Sequence, residues 1–360
     1  MRILITGGCG FIGAAVVRHL IRATDHSVVN VDKLTYAASE DALEGARHDR
    51  RHTLVVADIA DAEAMRQVFA THAPDRVMHL AAESHVDRSI DGSAPFIATN
   101  IVGTWTLLET ARAYWAGLPA DRREAFRFHH VSTDEVFGAL GRDDPPFLES
   151  TRYDPRSPYS ASKAASDHLV RAWQHTYGLP AFVTNTTNNY GPWQFPEKLI
   201  PLVALNALEG RELPVYGDGS NVRDWLHVDD HAVALVRALE VGRPGETYAI
   251  GARQERTNLQ VVRAICAALD ALIPDPAGPR TRLIRFVPDR PGHDFRYAIE
   301  PAHAEAALGW RPRFDFEAGL AHTLAWYLAN RPWWEAIRAG RYAGQRLGIV
   351  TSVAAAGHAR

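Results

Sequence analysis

Cysteine is scarce: Cys9 and Cys266 are the only two in 360 residues, too few for a disulfide framework or a thiolate zinc centre, and they point to a reducing compartment. An excess of one charge is also missing. With 39 Lys and Arg against 42 Asp and Glu the net charge is -3, which leaves no basic footprint for nucleic acid. No apolar run approaches the length of a membrane span, and the first residues lack the charged, apolar and small-residue order of a secretory leader. The expected location is the cytoplasm, with no membrane partner. The 17 histidines include no H-E-x-x-H and no clustered ligand spacing, so no metal is expected. Internal repeats are absent, and the only biased stretch is the small, alanine-rich end after Gly348.

What is present is 46% hydrophobic residues in a regular order. "RILITG", "SVVNVD", "HTLVVAD", "RVMHLAA" and "FRFHHVSTD" read as buried strands, separated by longer helical patterns such as "GAAVVRHLIRAT" and "TNIVGTWTLLETARAYW". Strands alternating with helices predict an α/β fold: a doubly wound parallel sheet of Rossmann type, with a smaller α/β lobe following it. The expected division is residues 1–183 for the sheet domain, 184–348 mainly for the second lobe, a return to the first domain around 222–250, and a tail at 349–360. Proline-punctuated stretches such as "PWQFPEKLIP" and "PDRPGHDFR" mark the second lobe as loop-rich.

The glycines are concentrated where the chain first turns. Gly7, Gly10 and Gly13 form G-x-x-G-x-x-G directly after a strand and at the head of a helix. There a tight turn lets backbone N–H groups and the helix dipole hold a pyrophosphate. Asp32 ends the next strand, 19 positions after Gly13, where a carboxylate accepts from ribose hydroxyls and repels a 2'-phosphate. The expected cofactor is therefore NAD. Asp58, closing "LVVAD", is a second candidate contact, to the adenine; a solvated strand-end acid is the equal alternative.

Tyr159 and Lys163 in "SPYSASK" are four apart, so they share a helix face. A tyrosine is a poor base at neutral pH, but an adjacent ammonium and a positive nicotinamide ring both stabilise its phenolate. Upstream, "HHVSTDEVFG" places Thr133, Asp134 and Glu135 at a strand's carboxyl end, where open α/β sheets keep their sites. Two adjacent carboxylates cannot both ionise cheaply, so one becomes an acid and the other a base. An ordinary helix cap with acids in its first turn is the plain alternative for this triplet taken alone.

These motifs, together with "LAAESHVDRSI", "TNTTNNYGPWQFPEKLIPL", "RDWLHVDDH" and "DRPGHD", resemble the nucleotide-sugar 4,6-dehydratases of the extended short-chain dehydrogenase/reductase family, in the branch acting on dTDP-glucose. The resemblance runs from Met1 to about Gly348. It implies an NAD-dependent lyase, a likeness to homodimers, and an internal redox cycle. In that cycle Tyr159 and Lys163, with Thr133, oxidise C4, Glu135 takes the C5 proton, and Asp134 protonates the departing C6 hydroxyl. Around the glycine loop it implies cofactor contacts from Phe11, Ile12, Lys33, Leu34 and Thr35. Beyond them it adds Ile59, Leu80, Ala81, Ala82, Ser84, Thr99 and Asn189. Arg223 and Arg290 are the arginines whose forked donors suit the diphosphate, with Lys198 next. For nucleotide and sugar the resemblance adds Asn188, Leu199, Pro214, Val215, Tyr216 and Asn258, then Asp289 and His293, with Ser84 touching both ligands. Ala252, Gln254 and Phe295 depart from the family pattern. A relative acting on another nucleotide-hexose, or a sugar-nucleotide 4-epimerase, is the alternative; an epimerase typically carries small residues where Asp134 and Glu135 stand.

Overall fold

The computed structural model describes residues 1–289, 292–345 and 347–348. Its main layer is a seven-stranded parallel sheet built from β1 (Arg2–Thr6), β2 (Ser27–Asp32), β3 (His52–Val56), β4 (Arg76–His79), β5 (Arg127–Thr133), β6 (Ala181–Thr186) and β10 (Thr247–Ile250). The order is β10-β6-β5-β4-β1-β2-β3, so the winding reverses between β1 and β4 and opens a crevice at their carboxyl ends. The centre of β1, Ile3 to Ile5, is an unbroken apolar run because both faces of the sheet are covered. Ile3 and Ile5 pack with Val17, Leu20 and Leu235 on one face, while Leu4 packs with Val29, Met65 and Phe128 on the other.

The helix that carries Tyr159 and Lys163 is Pro158–Tyr177. Ser157 and Ser160 cap it reciprocally, Pro158 takes the first position where no N–H is needed, and Gly178 (φ 71°) ends it. Its buried stripe, Tyr159, Lys163, Ser166, Asp167 and Val170, faces β5 and β6.

The second lobe contains β7 (Asn188–Tyr190), β9 (Val222–His227) and β11 (Glu255–Thr257) in one sheet, and β8 (Leu213–Tyr216) paired with β12 (Ile284–Val287) in another. Helices Leu199–Leu208, Asn258–Leu272 and Phe316–Ala329 close over them around Tyr190, Trp225, Ile265 and Leu320. Between these parts the chain re-enters the first layer: helix Val228–Val241 packs on helix Phe11–Ala23, and β10 extends the large sheet beside β6. β9, at the start of that return, belongs to the second lobe's sheet. Among the described residues no helix is long and apolar enough to cross a membrane.

Candidate active site

A cavity of about 240 Å³ runs along the crevice and is bordered by the glycine turn, the ends of β2, β4 and β5, helix Pro158–Tyr177 and the segment 194–198. The turn has its shape because two glycines have no room for a side chain. A Cβ on Gly13 would lie 2.1 Å from the Gly7 carbonyl oxygen, and Gly7 (φ 75°) would meet the Ala81 backbone at 2.8 Å. Gly10 caps helix Phe11–Ala23 with no side-chain bond, so that helix presents its N-terminus bare. Asp32, 8% exposed, accepts from the Cys9 N–H at 2.9 Å and the Leu34 N–H at 2.8 Å, one on each oxygen. Each oxygen keeps a lone pair for a ribose hydroxyl. These residues fit a dinucleotide: a close backbone turn, an open helix N-terminus and a carboxylate at the second strand's end.

Of the residues expected at the cofactor, Gly7, Gly10, Phe11, Ile12, Gly13, Asp32, Lys33 and Thr35 line the cavity, as do Ile59, Leu80, Ala81, Ala82, Ser84 and Thr99. Three do not. Asp58 pairs with Lys33 at 3.5 Å, which also ties Lys33 to a neighbour; Leu34 uses its N–H on Asp32; Asn189 lies on β7, its Nδ2 on the Thr187 carbonyl and its Oδ1 buried with no hydrogen-bond partner.

Tyr159, Lys163 and Ser132 meet on the far wall of the cavity. Lys163 is 4% exposed and donates to the Val131 carbonyl at 2.9 Å. Burial pushes its ammonium down to about 8, and Asp167 works in the opposite direction. Burial and then the Glu135 charge push the Tyr159 phenol up, while a hydrogen bond with Thr133 pulls it back. β5 delivers Thr133, whose hydroxyl accepts from the Glu135 N–H at 3.2 Å and so caps the short turn Asp134–Phe137. That cap swings the two acids to opposite environments. Glu135 is half-buried, whereas Asp134 is 1% exposed and its carboxyl is pushed well above the usual range by burial, then by Glu135 and Asp224, with Arg223 opposing. The shift favours the protonated form of Asp134, and its Oδ2 is buried with no hydrogen-bond partner.

The nucleotide candidates lie in the second lobe. Pro214, Val215 and Tyr216 form β8; Tyr216 meets the His293 ring edge-on at 6.3 Å, and His293 Nδ1 is 2.7 Å from Asp289 Oδ1. Lys198, bordering the cavity just before Leu199 opens its helix, donates to the Ser84 carbonyl at 3.0 Å. Asn258 heads helix Asn258–Leu272, its N–H on the Asn221 carbonyl at 2.9 Å, and the Asn188 Oδ1 is buried without a partner. Arg223 is 5% exposed: its guanidinium stacks over Tyr297 at 4.2 Å and donates to the Val222 and Asp294 carbonyls at 2.7 and 3.0 Å. Arg290 lies outside the described residues. The three departures from the family pattern act here through their backbones. Ala252 and Gln254 give their N–H groups to Asp224 at 3.0 and 2.6 Å, and the Phe295 carbonyl accepts from Arg223 at 3.4 Å, contacts that any side chain permits.

The model of the GDP-mannose 4,6 dehydratase family matches residues 4–323. The chain belongs to that family. Within this extended short-chain dehydrogenase/reductase group, the chain is 57% identical to a dTDP-glucose 4,6-dehydratase of Escherichia coli over 361 residues, covering 97% of this chain and 100% of the relative. The crystal structure of the Streptomyces venezuelae dTDP-glucose 4,6-dehydratase with NAD and TDP bound is similar at a TM-score of 0.85 and 44% identity, covering 94% of this chain and all of that one. A UDP-glucose 4-epimerase of Thermotoga maritima reaches a TM-score of 0.80 at 30% identity, covering 92% and 100%. The chain thus shares its backbone with dehydratases and with epimerases.

Sequence reasoning missed the wall opposite helix Pro158–Tyr177. Tyr36 donates to Glu197 Oε1 at 2.9 Å and Arg88 to Glu197 Oε2 at 2.7 Å, with the Arg88 guanidinium 3.9 Å above the Tyr36 ring. This joins segments 161 residues apart, and no local spacing announces it. Among the described residues one group has metal-ligating types within reach, His227, Asp229 and His322. His227 Nδ1 accepts the Asp229 N–H at 3.3 Å, which leaves its Nε2–H to donate to His322 Nδ1 at 3.3 Å, so the facing nitrogens are already used.

Proposed function

We propose that this chain is an NAD-dependent dTDP-glucose 4,6-dehydratase, a hydro-lyase that converts dTDP-glucose to dTDP-4-keto-6-deoxyglucose and water. The observation that carries the reading is the pair of adjacent acids whose charges act on Tyr159, one buried with its carboxyl pushed well above the usual range and the other half-exposed. Bound NAD supplies a hydride acceptor for C4 and returns the same hydride to C6, and its positive ring adds to Lys163 in stabilising the Tyr159 phenolate. Tyr159 accepts the C4 hydroxyl proton while Thr133 hydrogen-bonds that oxygen. The resulting C4 ketone acidifies C5–H, which Glu135 removes, and Asp134 gives its proton to the leaving C6 hydroxyl. Asn188, Lys198 and the cluster of Tyr216, Asp289 and His293 hold the nucleotide and sugar, with Arg223 and Arg290 at the diphosphate.

The dinucleotide half of the chain, 1–183 with the return through helix Val228–Val241 and β10, supplies the chemistry, and the second lobe supplies recognition. We place the protein in the cytoplasm as a homodimer. Ile97, Val102, Trp105 and Tyr177 are between 43% and 47% exposed along the helices Ile97–Gly103, Thr104–Ala116 and Pro158–Tyr177, an apolar face suited to a second copy. Incubation with a panel of nucleotide-hexoses, with products identified by mass, tests the reading: loss of one water from dTDP-glucose is expected, and an isomer of unchanged mass or no product refutes it.

A further inference from the structure

We propose that Asp167, which no motif includes, is a positioning residue for the tyrosine–lysine pair: its fully buried carboxylate is the counter-charge that keeps Lys163 an ammonium behind Tyr159. Tyr159, Lys163 and Asp167 are spaced by four and form one stripe on helix Pro158–Tyr177. The stripe is closed by β5, where His130 Nε2 is 3.4 Å from Lys163 Nζ and 3.2 Å from Asp167 Oδ1. Asp167 is 0% exposed, and a lone carboxylate or a lone ammonium in that interior would give up its charge. Asp167 instead stays ionised: Tyr153 donates to its Oδ2 at 2.8 Å and Asn185 at 3.2 Å, and its carboxyl is held below the usual range against the cost of burial. Arg171 continues outward from there, donating to the Tyr153 hydroxyl at 2.8 Å.

The other ionisable groups facing the pair do not replace it. His130 is pushed down to about 4 and His79, its ring 5.1 Å away on β4, well below its ordinary value, so neither supplies a charge. Tyr159 lines the cavity and feels the charges of Glu135 and Asp134, and Arg171 is spent on the Tyr153 hydroxyl. Asp167 is thus the charge that offsets the burial of Lys163.

The chain has three lysines, Lys33, Lys163 and Lys198, so ¹³C-labelled lysine gives three side-chain signals, with Lys163→Arg assigning the buried one. In NAD-loaded protein, Asp167→Asn is expected to lower the Lys163 midpoint by about one pH unit or more, the usual worth of a close opposite charge. Asp167→Ser removes the same charge in a smaller side chain and must shift it the same way should the Asn variant not fold. Asp167→Glu keeps the charge and is expected to restore a midpoint near wild type. An unmoved midpoint in the charge-removing variants, or an equal fall in Asp167→Glu, overturns the proposal. The kinetic arm rests on the dehydratase reading: Asp167→Asn should lower kcat about 10-fold or more with KM for dTDP-glucose within about twofold, since Asp167 touches no substrate. Wild-type protein that makes no keto sugar refutes the dehydratase reading and leaves the lysine titration to decide the role of Asp167.

Discussion

Replacing Asp134 with asparagine separates the two adjacent acids. Asp134 is 1% exposed and its carboxyl is pushed well above the usual range, towards the uncharged form, which Asp134→Asn mimics in the same shape. Oδ1 still takes the Thr133 hydroxyl at 3.3 Å, and the NH₂ replaces an Oδ2 that already lacks a partner, so the cost is no more than about 1 kcal/mol. Stability therefore falls slightly. Catalysis falls much further, because a positioned general acid contributes about 100- to 10,000-fold, or about 2.7 to 5.4 kcal/mol of barrier. In a single turnover, bound NADH and exchange of the C5 proton with solvent deuterium should persist while release of water stalls. Glu135→Gln should instead lose C5 exchange together with dehydration. Equal loss of both steps in the two variants, with NADH still forming, would falsify the division into acid and base. The pH dependence checks the protonation state. A carboxyl raised in the folded state keeps a proton that the unfolded chain releases above about pH 4. Wild type accordingly loses stability as pH rises from there through the folded value, and Asp134→Asn lacks that slope in chemical denaturation.

Tyr159→Phe removes only a hydroxyl, so NAD and nucleotide binding should survive while NADH formation slows about 100-fold or more; unchanged turnover removes Tyr159 from the mechanism. Gly13→Ala puts a Cβ 2.1 Å from the Gly7 carbonyl oxygen, and the forced shift of about 1 to 3 kcal/mol should weaken NAD binding about 5- to 150-fold by calorimetry; undiminished affinity would mean that the turn does not hold the cofactor. Arg88→Ala strips the counter-charge from Glu197, whose side chain is 3% exposed; because Arg88 itself keeps 30% exposure, the loss belongs at the low end of about 3 to 5 kcal/mol, read from the denaturation midpoint. Purified protein should carry NAD(H) and turn over with no net NADH release, and a steady rise of free NADH would exclude the internal redox cycle.

Local signals in the sequence determined a good deal of this protein. Strand and helix periods announced the parallel sheet because a strand covered on both faces carries consecutive apolar residues, as Ile3, Leu4 and Ile5 of β1 do. G-x-x-G-x-x-G, Asp32, Y-x-x-x-K and the T-D-E triplet were legible because each works within one turn or one strand end, where spacing along the chain is spacing in space. Tertiary structure alone decided what depends on groups distant in sequence. Arg223, a candidate for the diphosphate by its chemistry, is oriented by the Tyr297 ring and by carbonyls around residue 294, neighbours that no local spacing announces. Which of Asp134 and Glu135 is pushed towards the uncharged form follows from burial and from Asp224 and Arg223, about 90 residues away in the chain. Lys163 owes its charge to an interior assembled from β5, β6 and the 153 loop, and the Tyr36–Glu197–Arg88 wall joins three separate segments. A pKa or a clamp belongs to the dielectric and the neighbours that folding brings together, and no residue's own type or local spacing contains that information.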